Sequence, residues 1–488
     1  MAKKDNKQEL AINVKKEENI SEWYTQVIQK ADLIEYTDVS GCMIFKPNSY
    51  EIWEKIQSFL DFKIKKMGVR NAYFPLFIPK KLLCKEEDHV EGFAPEVAWV
   101  DYGGDTKLGE RLAIRPTSET IMYDAYSKWI NSYRDLPLKM NQWCNVVRWE
   151  FKHATPFLRN REFLWQEGHT VFETKEEADK DVMDALNAYG ETYEDLLAIP
   201  VTLGRKSVGE KFAGADYSYT AEPFSYVDGK SIQACTSHHL GQNFGKAFNI
   251  EFLDKNQKKQ IPYQNSWGFS TRSIGAMIMI HSDDNGLVLP PRVAKVKIVI
   301  VPLLFKGKEE AVLNKALEMG KKLESLGVIV DDRNHVSAGF KFNEWEMKGI
   351  PIRIEVGPRD LDNNVFQYVR RDLGVKVEEK LDLSNVKKVM SEVLENMHED
   401  MFNKAKSEMA KVTVETENYE DFKKAILDKK RCLVPWAENV ESEDKIKEET
   451  GAKTSCIPFE FEKKSLKGKK CFYSGKDATC WVYFCKTH

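Results

Sequence analysis

Trp143-Cys-Asn-Val-Val-Arg-Trp-Glu-Phe151 and Phe163-Leu-Trp-Gln-Glu-Gly-His-Thr-Val-Phe-Glu173 read as two β-strands joined by a loop rich in Arg, Lys and His. Side chains of an extended strand alternate between faces, so Val146, Arg148 and Glu150 share one face of the first strand. Trp165, Glu167, His169 and Val171 share one face of the second by the same rule. A face that carries Arg, Glu, Trp and His makes a poor core. It is either a solvated face of cross-strand charge pairs or the floor of a polar site.

The flanking segments set the architecture. Asn48 stands three residues before Glu51 and is expected to cap a helix with apolar residues at Tyr50, Trp53, Ile56, Phe59, Leu60 and Met67. That helix stops at Gly68, and residues 69–74 read as a strand ended by Pro75, which cannot donate to a ladder. A second helix is predicted to start at Pro116 and to run to about Ile130. Strands flanked by helices, without regular βαβ alternation, predict an α+β fold with an antiparallel sheet and helices on one face. After Pro290 and Pro291 the rhythm changes to strand 296–304, helix 309–326, strand 328–331, helix 340–348 and strand 352–356, an α/β unit. Residues 384–411 read as a charged helix, and a small aromatic, cysteine-containing α+β unit follows. The expected division is an N-terminal arm over 1–20, read as flexible or loosely docked, a main domain over 21–290, the α/β domain over 291–405 and a terminal domain over 406–488.

A chain of 488 residues is too long for one ordinary core, and 42% hydrophobic residues suffice to build several. Lys plus Arg (73) nearly balances Asp plus Glu (76), so no global positive field advertises a nucleic acid, and any such contact must use local basic patches. The longest aliphatic stretch, 296–305, is too short to cross a bilayer, and residues 1–20 lack the apolar run of a secretory signal. Nine irregularly spaced cysteines fit a reducing compartment. The expectation is a soluble cytoplasmic protein with no membrane partner.

Ser266-Trp-Gly-Phe-Ser-Thr-Arg272 precedes an apolar, small-residue helix over 274–280. Ser270 or Thr271 is placed to cap it, and Arg272 in its first turn adds a guanidinium to the helix dipole, so that both face one anion. The bland alternative is a capped core helix with a solvated arginine.

In order along the chain, these segments resemble the three signature motifs of class II aminoacyl-tRNA synthetases. The helix and strand ending at Pro75 resemble motif one, Arg148-Trp149-Glu150 with its loop motif two, and Gly268 to Arg272 with its helix motif three. Arg115-Pro-Thr-Ser-Glu-Thr120, Trp165-Gln-Glu-Gly-His-Thr170 and Ser266-Trp-Gly-Phe-Ser-Thr-Arg-Ser-Ile-Gly275 resemble the prolyl-tRNA synthetase family more specifically. The likeness extends over nearly the whole chain from about Ser21. It implies that L-proline and ATP, with Mg²⁺, give prolyl-adenylate and pyrophosphate, and that proline then passes to the 3′ end of tRNA(Pro). It also implies a homodimer formed through motif one. The alternatives are another class IIa synthetase, for threonine, serine or glycine, and a catalytically silent tRNA-binding paralogue.

Joining a carboxylate to the α-phosphate of ATP brings two anions together, so the reaction needs fixed positive charge and accurate placement. The resemblance makes Arg148 and Arg272 the catalytic residues, with Arg148 bridging the carboxylate and the α-phosphate while Arg159 and Arg272 hold the outer phosphates. Gln233, Thr236 and Ser270 complete the implied ATP set. Thr236 and His238 alternate correctly for one strand face, whereas Gln233 is out of phase, so a bulge or turn must separate them. Thr117 and Glu119 are implied to receive the proline nitrogen, with Arg148, Trp165, Glu167, His169, Phe212 and His238 around the ring and Ser266 at its edge. The stretch from His169 to Ser266, about a hundred residues, is too short to add an editing domain to the catalytic sheet. That places the chain with the archaeal and eukaryotic type.

Cys235, His238 and His239 invite a zinc reading, but adjacent strand residues face opposite ways, so no metal is expected there. In the α/β domain, which resembles the class IIa anticodon-binding domain, Arg353, Glu355, Arg359 and Arg371 are candidate anticodon contacts, against a reading as surface salt bridges. Many relatives hold zinc with four cysteines in the terminal unit. Here the first pair is replaced around Ala437 and Ser442, leaving Cys471 with no nearby Cys-x-x-Cys, and no structural zinc is expected. The lysines at 463, 464, 467, 469 and 470 are read as a solvated hairpin.

Overall fold

A computed structural model describes residues 11–83, 96–150 and 154–488. The three residues that open the motif-two loop, 151–153, lie outside the described set, as do positions 1–10 of the expected arm. Most of the strands belong to one large sheet. Along its main path the order is Phe224–Ser225, Lys230–Ser231, Cys480–Thr487, Lys453–Pro458, Thr202–Arg205, Tyr217–Glu222, Cys235–Gly241, Tyr263–Ser270, Glu162–Phe172, Leu138–Val147 and Arg70–Asn71, and Arg431–Trp436, with Thr413–Glu415 beside it, branches off at Cys480–Thr487. The central pairs are antiparallel, and the helices Lys175–Glu191, Pro47–Lys66 and Arg272–His281 contribute to the apolar core beside it. Gly168 is needed within this packing, because a Cβ there would come within 2.3 Å of the Trp267 ring.

The α/β rhythm after Pro291 folds as a separate five-stranded sheet, Val328–Val330, Ile298–Pro302, Ile352–Val356, Val365–Arg370 and Lys376–Lys380. Its first three strands are parallel and its last two pair antiparallel. The terminal unit does not stand apart from the main domain. Its strand Lys453–Pro458 pairs with Thr202–Arg205, so the catalytic sheet runs straight into it. Gly204 makes that approach possible, since a Cβ there would sit 2.5 Å from the Ile457 carbonyl. Arg205 and Glu438 add a two-pronged ion pair at 2.7 and 3.0 Å.

Several local expectations need correction. Asn48 does not cap the first long helix. Lys46 is its N-cap and Pro47 its first residue, while Asn48 Nδ2 donates to the Ala31 carbonyl at 3.2 Å. Only Arg70–Asn71 of the 69–74 segment pairs as strand, because the backbone N–H of Phe74 turns to the Gln142 side chain. The second helix begins at Glu119, three residues after Pro116, because Glu167 holds the Ser118 N–H in a loop at 3.0 Å. The first strand of the opening pair ends at Val147, so Arg148 and Glu150 lie just past it rather than on its face. Residues 11–19 are docked, with Lys16 Nζ donating to the Ser282 carbonyl at 2.8 Å.

Candidate active site

The strands Glu162–Phe172, Cys235–Gly241 and Tyr263–Ser270 lie side by side and form the floor of a cavity of about 660 Å³. Thr117, Glu119, Arg148, Arg159, Trp165, Glu167, His169, Phe212, Gln233, Thr236, His238, Ser266, Ser270 and Arg272 all line it. The alternation read from the second strand therefore has its physical basis: Trp165, Glu167 and His169 project together from one face. Gln233 sits in the short loop between Lys230–Ser231 and Cys235–Gly241, which resolves its phase mismatch with Thr236 and His238.

One end of the cavity is a closed network of paired charges. Glu167 is fully buried and receives Ser118 N–H at 3.0 Å, Gln142 Nε2 at 3.3 Å, the Ser118 hydroxyl, and His169 Nε2 at 3.0 Å. His169 Nδ1 meets the Tyr123 hydroxyl at 3.0 Å. Glu119, in the first turn of its helix, takes the Thr117 hydroxyl and, at 3.1 Å, the Ser266 hydroxyl. Burial alone would raise the Glu167 carboxyl, but His169 and Ser118 outweigh it and hold its pKa below the ordinary value. Burial would lower His169, and Glu119 with Glu167 lifts it above its ordinary value instead. Glu119, Glu167 and His169 also form the single grouping among the described residues with metal-ligand spacing. Phe212 stacks on His238 at 4.7 Å and encloses this end.

The other end carries cations. Arg148 Nε donates to the Pro116 carbonyl at 2.9 Å, and its guanidinium lies 5.2 Å from the Trp165 ring centroid. Arg272 Nε and Nη1 donate to the carbonyls of Leu158 and Gln233, both at 2.9 Å. The expected side-chain cap does not form: Thr271 is the N-cap and its hydroxyl caps nothing, while Ser270, one residue earlier, accepts the Arg272 backbone N–H at 3.2 Å in a local turn. Backbone acceptors fix both guanidiniums without neutralising them. No carboxylate pairs with Arg148 or Arg272 among the described residues. Burial, then Arg148 and Arg159, push the Arg272 pKa down. Such a cluster is an anion site.

The sequence reading missed several lining residues. Asn160 is 3% exposed, lines the cavity and has no partner for either amide atom among the described residues. Lys206 and Glu222 form a buried pair at 2.8 Å on the wall, and Lys453, Thr454 and Thr487 reach it from the terminal unit, beside His488, which the resemblance singles out as standing where the family usually ends in tyrosine. Only Asn160 had a local signal, its place between Arg159 and Arg161. The others come together through long-range strand pairing.

The anticodon candidates lie on the separate sheet and its surroundings. Arg353 lies against Glu355 at 3.0 Å and over the Phe342 ring, and Glu355 is itself buried and bound to Lys376. Arg359 is exposed. Arg371 requires correction as a surface contact: it is buried and paired with both Asp283 oxygens at 2.6 and 2.7 Å, which locks the α/β unit to the main domain. His239 lies on the far side of its strand from His238, stacked on Tyr217, as alternation requires. Lys464, Lys469 and Lys470 pair with Glu415, Glu417 and Asp477.

Comparison with known proteins places this arrangement. The family model "tRNA synthetase class II core domain (G, H, P, S and T)" matches residues 99–281, which include the three floor strands, and "Anticodon binding domain" matches 297–393. The fold is thus that of a class II aminoacyl-tRNA synthetase. "Prolyl-tRNA synthetase, C-terminal" matches 419–488. The chain is 48% identical to "Proline--tRNA ligase, cytoplasmic" of Arabidopsis thaliana, over 100% of this chain and 93% of the relative. It is 49% identical to "Proline--tRNA ligase" of Acetoanaerobium sticklandii over the full length of both. It is 50% identical to "Bifunctional glutamate/proline--tRNA ligase" of Mus musculus over 92% of this chain and 31% of that protein. The chain belongs to the prolyl-tRNA synthetase family.

Proposed function

We propose that this protein activates L-proline with ATP, giving prolyl-adenylate and pyrophosphate, and transfers proline to the 3′ end of tRNA(Pro). The observation that carries the reading is one cavity with a carboxylate end and a guanidinium end joined through Arg148, whose charge bears on both His238 and Arg272. Glu119 and Thr117 receive the secondary ammonium, with Glu167 and His169 behind them, while Trp165, Phe212, His238 and Ser266 enclose the ring. Arg148 bridges the proline carboxylate and the α-phosphate, and Arg159 and Arg272 hold the outer phosphates. Gln233, Thr236 and Ser270 complete the nucleotide site. No general base is required, because the attacking carboxylate is ionised at neutral pH.

Glu150, an exposed carboxylate on the cavity wall, would be the protein ligand of Mg²⁺, which would supply charge neutralisation for the leaving pyrophosphate. Arg353 and Arg359 remain candidate anticodon contacts, with Glu355 behind Arg353, while Arg371 leaves that set. We place the homodimer interface on Pro47–Lys66 and the edge strand Arg70–Asn71, and the protein in the cytoplasm, as the plant relative is named. Among the described residues no helix is long and apolar enough to cross a membrane. The terminal unit is read as held by its apolar cluster, including Phe422, Trp436, Phe472 and Phe484, rather than by zinc.

Exchange of labelled pyrophosphate into ATP tests the reading. Proline should stimulate it, and threonine, serine and glycine should not. Exchange driven by one of those amino acids, or tRNA binding with no exchange at all, overturns it.

A further inference from the structure

The two ring nitrogens of His238 stand in different surroundings. Nδ1 lies 2.7 Å from the Ser218 hydroxyl, and that same oxygen accepts the Phe212 backbone N–H at 3.0 Å. Ser218 is fully buried and stands directly opposite His238 in the pairing of Tyr217–Glu222 with Cys235–Gly241. A serine hydroxyl has one proton to give. No other acceptor is bonded to Ser218 among the described residues, so that proton belongs to Nδ1; the reverse assignment would seal a hydroxyl proton away from any acceptor. Nδ1 therefore accepts, and the neutral ring carries its proton on Nε2. Burial, reinforced by His169, Arg148 and Lys206, keeps the ring neutral by pushing its pKa down to about 3. The ring lines the cavity, and Nε2 has no protein partner among the described residues.

We propose that Ser218 is a positioning residue that fixes His238 as the Nε2–H tautomer, so that the cavity offers a hydrogen-bond donor to the carboxylate oxygen of proline and then to the acyl oxygen of its adenylate. This rests on the proline site proposed above. The opposite tautomer would aim a nitrogen lone pair at an oxygen that carries negative charge. Ser218 also holds Phe212 through its backbone, and Phe212 stacks on the ring it orients. One hydroxyl thereby sets both the tautomer and the lid of the ring pocket.

Two measurements test it. In the exchange assay, Ser218→Ala should raise KM for proline about tenfold and leave KM for ATP unchanged, and Ser218→Thr, which keeps the hydroxyl, should restore it. An unchanged KM for proline, or an equal rise in both constants, overturns the proposal, since the latter marks damage to the sheet alone. ¹⁵N spectra of histidine-labelled wild-type protein, with the His238 signals assigned by their loss in His238→Gln, should show an unprotonated Nδ1 and a protonated Nε2. A protonated Nδ1 overturns it even if Ser218→Ala fails to fold. Absence of proline-dependent exchange in the wild type defeats the functional reading, and the spectrum still decides the tautomer.

Discussion

The two ends of the cavity are built on opposite electrostatic plans. At the amino-acid end, Glu167, His169 and Glu119 have protein partners, and the network is complete before any ligand arrives. At the nucleotide end, Arg148 and Arg272 are steered by carbonyls and have no carboxylate partner among the described residues, and Arg148 weighs on Arg272. A small ring with one charged nitrogen offers few handles, so its pocket must be rigid in advance. A triphosphate brings several negative charges, and a preformed excess of positive charge is what it can neutralise. Fold stability and ligand binding are therefore coupled with opposite sign at the two ends.

Substitutions can break or sharpen that contrast. The largest effect is expected for Arg272→Ala: exchange falls by about 10²–10³-fold while the thermal midpoint stays level or rises, because a half-buried cation beside other cations is removed. A lower midpoint would refute the plan for that end. Glu167→Gln should do the reverse, raising KM for proline and lowering stability by about 3 kcal/mol in urea melts, since His169 loses its carboxylate. The smallest effect is on pH dependence. The raised pKa of His169 gives stability that is present below its ordinary 6.5 and is lost as pH rises through the folded value. The lowered pKa of Glu167 gives stability present above its ordinary 4.5 and lost as pH falls through the folded value. The difference in urea midpoint between wild type and His169→Gln should thus be widest between pH 4.5 and 6.5 and shrink toward pH 9. A difference that grows with pH would contradict the ion pair.

Much of the site was legible because period-two alternation is a local property. Trp165, Glu167 and His169 had to share a face once their strand was recognised, and Gln233 had to lie in a turn. The α/β rhythm after Pro291 was equally local, and the strand Ile352–Val356 has the bounds its apolar pattern suggested. What stayed hidden depends on partners far away in sequence. Asn48 looks like a cap until Pro47 takes the first helical position, and the helix after Pro116 starts late because Glu167, some fifty residues on, claims Ser118. Arg371 looked like a surface cation until Asp283 buried it. Nothing near Thr202 announces that Lys453–Pro458 will pair beside it.

That last pairing has a consequence for synthesis. While the chain is being made, the edge of Thr202–Arg205 waits for residues roughly 250 positions downstream, about 12–50 s at 5–20 residues per second. Through that interval its free N–H and C=O groups remain a template for pairing with another chain. The cavity wall also lacks Lys453, Thr454, Thr487 and His488 until then. A nascent chain with its class II core already translated therefore cannot yet close the site, and this open edge is where a folding helper would have most to protect.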